Sequence, residues 1–289
     1  MMISRLDLDG AGSPAALVTR ILQLEPNLSV PVPVEQLCSQ FDITSIGKLD
    51  TEGFEAALIT DEFKSAGAIL VAGERSRQRQ RFSIAHELGH FLIPSHLPRP
   101  GERSLCSVEH LGIYDTKEDD RRRRMEAEAN RFAALLLIPP PVLRAELKAI
   151  RRPDVSDVAR LAKVFDVSKD AMAQAYADYT REAVAIVVIR SGYVLRAYRN
   201  DANFPALAVW RGQPVPAGFL AETIFQPGQI SAVEECEPGL WVREPEDRTV
   251  ETLTEQVLGQ KQGYSLVMLV AELVDEEEFE TRRGGSWPR

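Results

Sequence analysis

The stretch Phe82-Ser83-Ile84-Ala85-His86-Glu87-Leu88-Gly89-His90-Phe91-Leu92 sets two histidines four positions apart with a glutamate after the first, an HExxH pattern among apolar neighbours. Ala85, Leu88, Phe91 and Leu92 predict a partly buried helix from about Gln80 to Ile93. Pro94 stops it, because proline disfavours helical backbone at the residue before it. Residues four apart on a helix lie one above the other on one face, so His86 and His90 can turn their imidazoles toward a single ion. Two imidazoles suit zinc, with manganese a second candidate that supply in the cell would decide. Glu87 is rotated by roughly 100° from His86. It can lie beside such an ion without being a ligand, take a proton from an attacking water and hand it to a leaving amine. The chain has four histidines in all. Two buried imidazoles beside a buried carboxylate are costly unless a cation offsets them.

An open zinc site needs a third protein ligand, and two candidates compete. His96 lies six residues past His90, the spacing of HExxHxxGxxH enzymes. That pattern turns the chain with a glycine where this one has Ile93 and Pro94, and β-branched isoleucine is poor at positive φ. The favoured candidate is Glu126, in Glu126-Ala127-Glu128-Ala129-Asn130. Glu126 and Asn130 share a helix face, so Asn130 can support the site by hydrogen bonding while Glu126 binds the ion. Glu128 is rotated by about 200° from Glu126 and is expected to face solvent. Gly89 in one helix and Ala129, Ala133 and Ala134 in the other are small enough to let the two helices approach closely.

Outward from these helices, residues 14–24 predict an amphipathic helix with Ala15, Val18, Ile21 and Leu22 on one face. A second short helix spans 34–41, and strands follow at 43–49, 56–60 and 66–71. Residues 95–116 have no clear period and read as a loop. A charged helix begins near Lys117, turns apolar at Ala129 and stops at Pro139-Pro140-Pro141. A short helix covers 142–150, and two helices within 154–179 meet at Phe165-Asp166-Val167-Ser168, with Ser168 a suitable N-cap. From Ala183 the pattern changes to strands: AVAIVVI, YVLRAY, LAVW and GLWV, closed by 249–258 and 265–274. Trp210, Trp241 and Phe225 are expected in the core, and the end of the chain, after the acidic cluster 275–278, is expected to fray. The expected domains are 1–150 around the metal site, a helix-turn-helix-like segment at 151–181, and a C-terminal mixed α/β domain at 182–289.

The 289 residues carry a net charge of −9, which disfavours broad nucleic-acid binding, since that requires a basic footprint. Three scattered cysteines without a CxxC argue against a disulfide framework or a zinc knuckle. The first sixteen residues carry Asp7, Asp9 and Gly10 where a secretory signal needs an apolar run, and the longest apolar stretches, 183–189 and 264–271, are too short for a bilayer. A cytoplasmic location without membrane partners is expected.

FSIAHELGHFL followed by EAEANRFAALLLIPP resembles the ImmA/IrrE family of metallopeptidases. The likeness covers both helices and the proline stop, and extends more loosely over residues 14–180. It implies zinc held by His86, His90 and Glu126, with Glu87 as catalytic base. It also implies a small α+β zincin domain with a thermolysin-like core. Family members are intracellular regulators that act on helix-turn-helix, Xre-type repressors, often encoded nearby, in mobile-element control or stress response. In some relatives a sensory GAF-like domain stands where residues 182–275 are. This chain departs in its long connection between residues 90 and 126, with its KEDDRRRR run.

The function expected is therefore a zinc endopeptidase that cleaves a protein regulator, with gating by the C-terminal region as a variant of it. The competing reading is a non-hydrolytic regulator that binds DNA or protein and keeps zinc as a structural ion. Direct DNA contact is the less favoured part of that reading. The second helix of the helix-turn-helix-like segment, Lys169 to Asp178, carries one lysine and two aspartates, with Gln174 alone suited to base edges. The Arg121–Arg124 run follows three acids, and pairs such as Glu118–Arg122 suggest a solvated helix face rather than a phosphate site.

Overall fold

A computed structural model describes residues 3–49, 54–97, 104–107, 117–218, 220–223, 225–243 and 248–275. The fold is α+β, with helices and two separate sheets. Internal contacts divide the chain into two compact units, residues 1–140 with 163–168 and residues 141–162 with 169–289.

In the first unit, α1 (Pro14–Leu24) starts at Ser13, whose hydroxyl accepts from the Ala16 amide at 3.2 Å, with Pro14 in the first turn where its missing N–H costs nothing. It buries Pro14, Leu17, Val18 and Ile21. The buried face is therefore rotated from the one expected, and Ala15 is exposed. After α2 (Val34–Gln40) come β1 (Ile43–Leu49), β2 (Phe54–Thr60) and β3 (Gly67–Ala72). A fourth strand, β4 (Ser104–Ser107), lies inside the stretch read as loop. The sheet order is β1-β3-β2-β4, with β1 parallel to β3 and the other pairs antiparallel. Four polar-flanked residues give no periodic signal, and β4 owes its strand form to pairing with β2.

Two long helices complete this unit, α3 (Arg77–Leu92) packed on β2 and β3, and α4 (Lys117–Leu137) packed on α3. Helix α3 starts three residues earlier than expected, because the Ser76 hydroxyl caps the Arg79 amide at 3.3 Å. From Ser83 to Leu92 every residue of α3 is buried, histidines and glutamate included, so the helix runs through the unit's interior. Its first turns are held by the turn at 163–168. Asp166, at φ 50°, accepts from Arg77 Nε at 2.7 Å and Gln78 Nε2 at 2.8 Å. Arg81, nearly fully buried, donates to the Asp166 carbonyl at 3.3 Å and the Val32 carbonyl at 2.8 Å. At the other end the buried Lys64 ammonium donates to the carbonyls of His90 and Ile93, both at 2.8 Å. These are acceptors that a helix C-terminus leaves without an internal partner.

The second unit holds α5 (Pro140–Lys148), most of α6 (Val155–Phe165) and α7 (Lys169–Tyr179), with a sheet of β5 (Val184–Arg190), β6 (Tyr193–Arg199), β7 (Glu234–Glu235), β8 (Arg248–Gly259) and β9 (Tyr264–Asp275). The triple proline ends α4 and also opens α5, since proline suits a helix's first turn. The sheet order is β6-β5-β9-β8-β7 with every pairing antiparallel, which narrows the expected mixed α/β domain to an antiparallel sheet with helices. Helix α7 packs on β5 and β6. Ala185, Val187 and Ile189 point into a core shared with Phe204, Trp241, Leu253, Val257, Val267 and Leu269. Buried Gln256 caps α6 from β8: its oxygen accepts the Val155 amide at 2.8 Å and its nitrogen donates to Asp154 at 2.9 Å.

Two expected strands of this unit are corrected. Leu207 makes a single bridge to Val242 within an irregular segment, and Pro238–Trp241 forms a short helix, α8, started by Pro238. Trp241 is buried and Phe225 packs at the core's edge, but Trp210 is 59% exposed, against the expectation that it lies in the core. Residues 276–289, where fraying was expected, and the Glu118 side chain of the Glu118–Arg122 pair lie outside what the structure describes.

Candidate metal centre

Helix α3 brings His86 and His90 one turn apart, with their Nε2 atoms 3.1 Å from each other. Helix α4 brings Glu126 to the same point: its Oε2 is 3.2 Å from His86 Nε2 and its Oε1 is 3.4 Å from His90 Nε2. Gly89 permits this approach, because a Cβ there would stand 3.0 Å from Phe132 Cδ1 and 3.2 Å from Phe132 Cβ. Ala129 and Ala133 are buried at the same contact, whereas Ala134, expected there, is exposed. Gly89→Val is expected to force Phe132 aside, to cost about 1–3 kcal/mol by overpacking, and to weaken metal binding by parting the helices. Thermal melts and zinc titration of the variant check both effects.

His86, His90 and Glu126 form a group in which one donor atom from each lies within 4.8 Å of the others. An ion with bonds of about 2.0–2.1 Å at tetrahedral angles separates its ligand atoms by about 3.3 Å. The two nitrogens stand 3.1 Å apart and the carboxylate reaches within 3.2 Å of one (Oε2) and 3.4 Å of the other (Oε1), close to that value, so the residues fit zinc. Three donors also leave one position for another molecule, as open zinc sites do.

The electrostatics suit a cation. Burial raises the Glu126 carboxyl, but hydrogen bonds from His86 and His90 outweigh it and hold the group well below the usual carboxylate range. Burial opposes charging of His86, yet the Glu126 hydrogen bond and the charges of Glu87 and Glu126 leave its pKa raised. Glu87 is fully buried beside His86. Asn130 Oδ1 is 3.0 Å from His86 Nδ1, in position to accept its proton and aim Nε2 inward.

His96 is absent from this ligand group, and it is buried behind it. Its Nδ1 is 3.1 Å from His90 Nδ1, on the far side of that ring, and its Nε2 is 2.8 Å from Glu128 Oε2. Burial pushes the His96 imidazole down to about 4, which keeps it neutral. Glu128, expected to face solvent, is therefore engaged and half-buried. Neither role is visible from spacing along one helix, because the pair joins residues 32 positions apart. The one signal in the sequence is that three of its four histidines fall within eleven positions.

Residues 48–176 match the model of the IrrE N-terminal-like domain, a peptidase family, and so span α3 and α4. Over these residues the chain is similar to the IrrE-type peptidase family. A curated relative, the radiation response metalloprotease IrrE of Deinococcus radiodurans, is 32% identical over 125 residues, 43% of this chain and 35% of that protein. The chain thus spans about a third of the length of that relative. A solved structure described as a Mycobacterium tuberculosis transcriptional regulator is similar at a TM-score of 0.51, over 82% of this chain and 69% of the other, at 14% identity. That likeness concerns the fold alone. No helix among the described residues is long and apolar enough to cross a membrane.

Proposed function

We propose that this ImmA/IrrE-type chain is a zinc-dependent endopeptidase with a zincin-like core that cleaves an intracellular protein regulator, an Xre-type helix-turn-helix repressor, in stress response or mobile-element control. The observation that carries the reading is the convergence of two imidazole nitrogens 3.1 Å apart and a carboxylate whose oxygens reach within 3.2 and 3.4 Å of them, with the Glu87 carboxylate buried beside His86.

His86, His90 and Glu126 would hold the ion, which when bound supplies a Lewis acid and lowers the pKa of a water. Asn130 fixes the tautomer and direction of His86. Glu87 accepts the proton of the attacking water and returns it to the amine that leaves. A closed structural site has four protein ligands and no use for a further acid beside them, which counts against the non-hydrolytic reading. The turn of the helix-turn-helix-like segment is occupied by Arg77, Gln78 and Arg81, which counts against its use on DNA. None of the candidate site residues comes from the C-terminal antiparallel sheet, which we assign to regulation, including sensing of a small ligand.

The test is incubation of the purified zinc-loaded protein with Xre-type repressors, analysed by mass spectrometry. Discrete fragments that disappear when a chelator is added are expected. Repressors left intact by protein of proven zinc content would sink the endopeptidase reading and favour the non-hydrolytic one.

A further inference from the structure

We propose that His96 and Glu128 are positioning residues for His90, holding it through a carboxylate–imidazole–imidazole chain that sets its tautomer and strengthens it as a metal ligand. The inference rests on the reading of His90 as a zinc ligand. His90 Nε2 faces His86 and Glu126, so its Nδ1 points away from the site and is the atom that can be fixed from behind.

A neutral imidazole that gives the lone pair of Nε2 to an ion carries its proton on Nδ1. That proton points at His96 Nδ1, 3.1 Å away, which must then be an acceptor. His96 therefore carries its own proton on Nε2 and donates it to Glu128 Oε2 at 2.8 Å. One placement of protons satisfies every atom of the chain. The His96 side chain is fully buried, so no solvent water competes for the contact, while the Glu128 carboxylate is 34% exposed and keeps part of its hydration.

The two histidine ligands are thus held in different ways. His86 leans on the neutral amide of Asn130, while His90 is connected through a ring to a full negative charge. Partners of this kind raise ligand basicity, and their loss typically weakens metal binding by about 10–100-fold.

Zinc affinity of the full chain, measured by competition with a chromophoric chelator, tests this. His96→Phe keeps a ring but removes the acceptor, and is expected to weaken zinc binding by about 10–100-fold. His96→Asn places an amide oxygen where Nδ1 stood but cuts the link to Glu128, and is expected to fall about tenfold, less than His96→Phe. Glu128→Leu, at a partly exposed position, is expected to fall about tenfold while Glu128→Gln, which keeps an acceptor, falls less. In cobalt-substituted protein the visible bands of the Phe, Asn and Leu variants should shift, those of the Phe variant most.

Wild-type affinity in His96→Phe, or equal losses in the Phe and Asn variants, would overturn the proposal. Should His96→Phe fail to fold, unchanged affinity in Glu128→Leu overturns it alone. Wild-type protein that binds no zinc overturns the metal reading itself, so the two failures are told apart.

Discussion

Replacing Glu87 by glutamine is expected to leave zinc bound and to slow repressor cleavage by about 10²–10⁴-fold, the range for loss of a positioned general base. Glutamine has nearly the shape of glutamate, so the fully buried site around residue 87 need not rearrange. It cannot take a proton from water. His86, His90 and Glu126 keep their places, and zinc affinity stays near that of wild type or falls slightly as a neighbouring negative charge disappears. Metal content and cleavage rate are measured on the same preparation. Cleavage at the wild-type rate by the glutamine variant would remove Glu87 from the chemistry.

The second large effect concerns the ion. His90→Ala and Glu126→Ala are each expected to weaken zinc binding by on the order of 10²–10³-fold. That is about 3–4 kcal/mol, one ligand's share of the roughly 10–16 kcal/mol seen for complete zinc sites. Both variants should be purified without stoichiometric zinc and without cleavage activity. His96→Ala, by contrast, should still fill with one zinc per chain at saturating metal, because its nitrogen faces the back of His90 rather than the donor cluster. Zinc retained by Glu126→Ala and lost from His96→Ala would reverse these assignments.

The parts of the site legible in the sequence are those fixed by helix geometry. Four-residue spacing brings His86 together with His90 and, on the next helix, lines up Glu126 with Asn130, and small residues at 89, 129 and 133 mark where the helices meet. Helix geometry does not reveal what approaches from elsewhere. Rotation from Glu126 points Glu128 toward solvent, and the sequence carries no mark that His96 arrives beside it. The same reason hid β4, whose four residues become a strand only against β2. It also made a strand of Gly239–Val242, where an apolar run of that length fits helix or strand and Pro238 decides for helix. The α+β class and most element positions were legible because they rest on period and on proline stops. The bounds of the two compact units depend on contacts between distant residues, which no local pattern carries.

The grip of Asp166 on Arg77, Gln78 and Arg81 has a consequence for synthesis on the ribosome. The N-terminus of a helix repels cations, and that end of α3 carries Arg77, Arg79 and Arg81. The anion that answers two of them is made 74 residues after Leu92. At about 5–20 residues per second, the helix of His86 and His90 waits roughly 4–15 s for its clamp. A nascent chain halted at residue 150 would already contain every proposed zinc ligand and still lack the residue that seats the helix of two of them. Stable metal loading should therefore begin only once the turn at 163–168 has cleared the exit tunnel.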